Sequence, residues 1–221
     1  GLTCSGGVVV HVDLNSKGVT GSIPPELGSL LSLTYLSVDL NSLVGSIPPE
    51  LGSLLSIEAL IVQRNSLTGP IPPELGSLVA LTYLVLSTNS LTGSIPPQLG
   101  SLLSLTFLAI HTNSLTGPIP PELGSLSRMK ELFLQTNSLS GDVPESLCSA
   151  AALTRLHIQT NPGLTCYPSC LSTAVAFLIK DTVPEGCSDG QDGALCGLIA
   201  ATNIASITDY DEWACETHGV T

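Results

Sequence analysis

Positive charge is scarce in this chain: 6 lysines and arginines face 18 aspartates and glutamates in 221 residues, a formal net charge of −12. A phosphate backbone needs a basic face, so the balance argues against nucleic acid as a partner. Aromatic residues make up only 4% and charged residues 11%, beside 43% hydrophobic residues, which points to an aliphatic, repetitive core. Long apolar runs are missing too. The longest, such as residues 174–179, fall far short of the roughly 20 residues a membrane helix needs. No Asn-x-Ser/Thr sequence occurs, because each regularly spaced asparagine precedes Ser-Leu or Pro-Gly, so N-linked sugar is not expected. No paired-carboxylate or phosphate-loop motif appears, and neither His111 nor His157 has a Ser or Cys nucleophile placed beside it. An enzyme is therefore not expected, nor is a cofactor or a bound metal.

What the chain has in abundance is one repeated phrase. Gly21, Gly45, Gly69, Gly93, Gly117 and Gly141 recur every 24 residues. So do Asn41, Asn65, Asn89, Asn113, Asn137 and Asn161, and an Ile-Pro or Val-Pro step beginning at Ile23, Ile47, Ile71, Ile95, Ile119 and Val143. Self-similarity at such a period is the signature of a solenoid. Within each unit, alternation such as Tyr83-Leu84-Val85-Leu86-Ser87 predicts a short strand with Leu84 and Leu86 turned inward. Stacked units then bury a core that no single unit could bury alone. The asparagine amide is placed to bond backbone groups of adjacent units, and the glycine permits a tight turn.

The consensus LxxLxxLxLxxNSLTGxIPPELGSL resembles the plant-type, 24-residue subclass of extracellular leucine-rich repeats found in receptor ectodomains and in inhibitors of wall-degrading enzymes. The resemblance implies an α/β solenoid, a right-handed superhelix with a parallel concave β-sheet and disulfide-bearing helical caps. It also implies secretion or display at the cell surface or wall. On this reading residues 1–24 hold a degenerate first coil and the end of an N-terminal cap. Residues 25–165 form the solenoid, 166–187 a C-terminal cap with a helix expected at 171–180, and 188–221 the start of a second N-terminal cap.

That last assignment suggests an array. The family's N-terminal cap carries a Trp beside a Cys-x6-Cys pair. Here Trp213 and Cys215 close the sequence while Gly1-Leu2-Thr3-Cys4 opens it, as if two halves of one motif had been split with a period of about 218 residues. The expectation is a module whose Cys215 bonds Cys4 of the next copy, assembling head to tail into an extracellular fibre. Near-identity between coils favours this scaffold reading over specific recognition. Seven cysteines point to an oxidising compartment. Cys148 is expected to pair with Cys166 or Cys170, Cys187 with another cap cysteine, and Cys196 to remain free.

The alternative function is recognition of a protein or glycan through the concave face. Outward positions there place Tyr35, Tyr83, Phe107 and Phe133 in an aromatic stripe rimmed by Arg64, His111, Arg155 and His157, the composition of an exposed binding patch. Ordinary cross-strand stacking is the plainer reading. A column of threonines, Thr88, Thr112, Thr136 and Thr160, could order water as in ice-binding proteins. It is also what a strand before the asparagine would favour.

Overall fold

Leucine columns explain the architecture. Leu36, Leu60, Leu84, Leu108 and Leu156 are fully buried at the centre of successive strands, and Val62, Leu86, Leu134 and Ile158 fill the next inward column. Each coil supplies two apolar residues that must leave water together, so strands stack in parallel with equivalent residues opposite. The computed structural model describes residues 1–168, 170–171 and 177–179. Contacts divide the chain into Gly1–Cys187 and Ser188–Thr221. The expectations for Cys187, Cys196, Trp213 and Cys215 lie outside the described residues.

Among the described residues the principal sheet has nine strands. Leu2–Ser5 runs antiparallel to Val8–Asp13. From there the sheet is parallel through Tyr35–Ser37, Ala59–Ile61, Tyr83–Val85, Phe107–Ala109, Glu131–Phe133 and Arg155–His157. Through these parallel strands the register is 24 residues, as in Tyr83 opposite Phe107. This is the sheet that forms the concave face of the family. A second, seven-stranded sheet collects short strands such as Ser66–Gly69, Ser90–Ser94 and Ser114–Gly117. Here the register is sheared, with Thr68 opposite Ser90. Among the described residues six 3-10 helices, from Pro25–Ser29 to Glu145–Ser149, connect each strand of the second sheet to the next strand of the principal one and are the helical layer of this α/β solenoid. Five of them begin on the second proline of Pro-Pro, where a missing N–H costs nothing.

Two glycine columns do different work. Gly69, like its equivalents, has positive φ (77°), the turn that the spacing predicts. Gly76, in the 3-10 helix, has no such φ; a Cβ there would lie 2.4 Å from the backbone oxygen of Gln98. Coil-to-coil approach therefore forbids a side chain at that position.

Asparagines tie the coils together. Asn137 donates to Ile110 O (3.1 Å) and Leu134 O (3.0 Å), and its Oδ1 accepts from Leu115 N (3.1 Å). Asn65, Asn89, Asn113 and Asn161 repeat the pattern. Asn41, next to the degenerate coil, accepts from both Lys17 N and Val19 N. Ladder carbonyls are shared, for Ile110 O also takes Asn113 Nδ2 (3.1 Å).

Two expectations are corrected. Residues 177–179, expected in a helix, form a strand parallel to Arg155–His157, with Leu156 opposite Leu178. The last coil leaves a row of unpaired N–H and C=O groups, and pairing with that edge outweighs local helix preference. The threonine column is not strand either. Thr88, Thr112, Thr136 and Thr160 have φ of 54–57°, the left-handed turn by which the chain leaves the sheet, despite the cost of that conformation for a β-branched residue. At the C-terminal end Cys148 bonds Cys170, while Cys4 on the N-terminal hairpin is a free thiol.

Candidate recognition face on the parallel sheet

Six of the eight residues expected on the concave face gather over its C-terminal half. Tyr83 and Phe107 have ring centroids 5.8 Å apart, Phe107 and Phe133 5.4 Å. Phe133 meets His157 edge-on at 4.7 Å and His111 at 6.4 Å. Arg155 bonds Glu131 across adjacent strands at 3.2 Å. Tyr35 stands apart, stacked on His11 at 4.2 Å. The small side chain of Ala59, opposite both Tyr35 and Tyr83, divides the two groups. Arg64 sits outside the strand in the left-handed turn, with φ of 51°.

The stripe is not uniformly exposed, and this corrects the picture of a row of open aromatics. Phe133 is 5% and His157 4% accessible, while Tyr83 and Phe107 are half-buried. Val85, Ala109 and Phe133 form a second small apolar cluster on the outer surface of the sheet, joined by Ile61 and Phe107. Rings of the adjacent coils cover Phe133, with Phe107 and His111 on one side and His157 on the other. Burial lowers the pKa of His157 to about 4, with the nearby positive charges of Arg155 and His111 adding to the effect. Its imidazole is neutral at physiological pH.

The next outward column runs Asp39, Gln63, Ser87, His111, Gln135 and Gln159, and of these only His111 was expected at the site. Gln63 and Ser87 are buried there, with the Ser87 hydroxyl bonded to Gln63 Oε1 at 3.1 Å. Asp39 is buried against Ser37. Gln135 and Gln159 each carry a buried Oε1 with no hydrogen-bond partner among the described residues. The signal in sequence was the alternation Gln63, Ser87, His111, Gln135, Gln159, which pairs an acceptor with a hydroxyl only once. Among the described residues no group of His, Cys, Asp or Glu is placed to hold a metal, and no helix is long and apolar enough to cross a membrane.

Comparison with known proteins places this geometry. The family profile described as Leucine Rich Repeat matches residues 32–54, 56–78, 80–102 and 104–126. A crystal structure of a Pollen Receptor Kinase 3 is 30% identical, with a TM-score of 0.69, and the match covers 76% of this chain and 81% of that one. The chain belongs to the plant-type leucine-rich-repeat family. The Arabidopsis receptor kinase HAESA, solved with the peptide hormone IDA and the co-receptor SERK1, is 31% identical at a TM-score of 0.74. That match covers 82% of this chain but 32% of HAESA, so the plant-type repeat protein spans about a third of that receptor's length. A plant ice-binding protein is 32% identical at a TM-score of 0.63, over 75% of this chain and 53% of that one. No curated protein sequence matches.

Proposed function

We propose that this leucine-rich-repeat protein is an extracellular, non-enzymatic recognition module that binds an extended peptide segment on its parallel sheet. The observation that carries the reading is where the coils differ. Turn and core positions repeat almost unchanged, yet the outward column of the sheet runs His11, Tyr35, Ala59, Tyr83, Phe107, Glu131, Arg155. A surface diversified on an otherwise invariant frame is what a non-repeating partner requires, and rigid aromatics beside Arg and His supply its anchors. The receptor kinase HAESA, solved with a peptide hormone, supports the same class of ligand.

The test is to pan a displayed library of random dodecapeptides against the protein and measure affinity of the enriched peptides for Phe107→Ala and Tyr83→Ala. Loss of about tenfold or more in either variant supports the reading. Failure to enrich any peptide, or binding indifferent to both substitutions, refutes it. Head-to-tail polymerisation takes second place to recognition. Of its three joining residues only Cys4 is among the described ones, where it is exposed on the edge hairpin. Gel electrophoresis with and without reductant tests it: a single-unit band near 22.7 kDa in both lanes removes the covalent polymer.

A second reading is favoured by the other sheet and by the ice-binding neighbour. Ser66, Ser90, Ser114 and Ser138, with Thr68, Thr92 and Thr116, are exposed along that sheet without a charged residue among them. This array, rather than the left-handed threonine column, is the surface suited to ordering water. Inhibition of ice recrystallisation that disappears in Thr92→Tyr would support it; no inhibition by the unaltered protein would end it.

A further inference from the structure

The two orphan acceptors on the recognition face define what its ligand must offer. Gln63, Ser87, His111, Gln135 and Gln159 follow one another at 24-residue intervals. At the first step the acceptor is met, because the next coil presents a hydroxyl. At Gln135 the next coil presents another glutamine. Both Oε1 atoms are buried without a partner among the described residues, although each residue as a whole is only half-buried. A buried carbonyl oxygen without a donor is unfavourable, and native structures rarely leave one without a reason. The terminal torsion of glutamine is broad and soft, so each amide is free to turn its oxygen toward a donor.

The nearest ion pair on this face, Arg155 with Glu131 at 3.2 Å, lies four residues back along the strands, roughly 13 Å from the two glutamines. The orphan oxygens themselves call for a hydrogen-bond donor.

Resting on the peptide-recognition reading above, we propose that Gln135 and Gln159 accept hydrogen bonds from two backbone N–H groups of a peptide that crosses the sheet. Adjacent strands lie about 4.8 Å apart, and N–H groups on one edge of an extended peptide recur at about 6.8 Å. The flexible glutamine side chains span that difference.

The experiment uses Gln135→Leu, Gln159→Leu and the double variant of the full chain, with a peptide enriched from the dodecapeptide library as probe. Without peptide, each variant removes an orphan acceptor, so the melting temperature stays level or rises; a structural role would lower it. With peptide, affinity falls roughly three- to tenfold per substitution. Gln159→Glu, which keeps an acceptor, retains most of the binding. N-methylation of the contacting peptide N–H weakens the unaltered protein's binding but has no further effect on the double variant. A lowered melting temperature overturns the assignment. So does full affinity in the leucine variants while Phe107→Ala still abolishes binding, an outcome that leaves the recognition face standing. Failure to enrich any peptide, or binding only to an oligosaccharide array, overturns both.

Discussion

Replacing Asn137 by leucine tests the coil-to-coil ladder most sharply. The amide donates to Ile110 O and Leu134 O and accepts from Leu115 N, in a position only 7% accessible. Its loss leaves the Leu115 N–H without a partner. The carbonyls fare better, because Ile110 O keeps Asn113 and Leu134 O keeps Asn161. One abandoned donor costs about 1–3 kcal/mol, and two carbonyls each reduced to one partner add about 1 kcal/mol together. The expected loss is about 2–4 kcal/mol, a large share of the 5–15 kcal/mol typical of a folded domain. Sharing makes a second prediction. Asn113→Leu and Asn137→Leu together strip Ile110 O completely, so the double variant loses more than the sum of the singles, by about 1 kcal/mol. Urea titration followed by circular dichroism measures all three, and amide exchange at Leu91 and Leu115 shows where the coils part. A loss below about 1 kcal/mol for Asn137→Leu, or strict additivity of the pair, would refute the shared-carbonyl account.

Other perturbations follow from the same geometry. Gly76→Ala drives a Cβ against Gln98 O, 2.4 Å away, and is expected to cost at least about 2 kcal/mol. Gly69→Ala meets nothing closer than 3.7 Å and costs about 1–2 kcal/mol through its positive φ alone; thermal melts that rank the two in reverse would contradict the packing argument. His157 has a pKa lowered from 6.5 to about 4. The unfolded chain therefore binds the proton first, and the stability contributed by the neutral imidazole is complete above pH 6.5 and lost as pH falls towards 4. The midpoint of urea unfolding should drop across that window, and drop less in His157→Gln. Cutting the Cys148–Cys170 bond, which closes a separation of 22 residues, with Cys148→Ser and Cys170→Ser should lower stability by about 3 kcal/mol. Unchanged thermal stability in the double variant would show that the last coil is held by other contacts.

The repeat by itself determined the solenoid. A 24-residue recurrence of Leu, Asn and Gly forces equivalent residues opposite one another, so inward Leu84, the bonds of Asn89 and the positive φ of Gly69 are all legible from spacing alone. These features depend on a residue and its copies, and the copies are in the sequence. Accessibility of the candidate face was not legible, because Phe133 and His157 are covered by unlike side chains from neighbouring coils whose sizes no period encodes. Gln135 looked like Gln63 until the structure set its oxygen opposite another glutamine instead of a serine. The threonine column read as strand because propensity describes an isolated residue, whereas the exit from the sheet requires the left-handed turn. Residues 177–179 carried a pattern that suited a helix, and only the open edge of the last coil, a partner distant in sequence, made them a strand. The chain thus wrote its own frame in local repetition, while the properties of its surface were decided by tertiary neighbours that repetition does not specify.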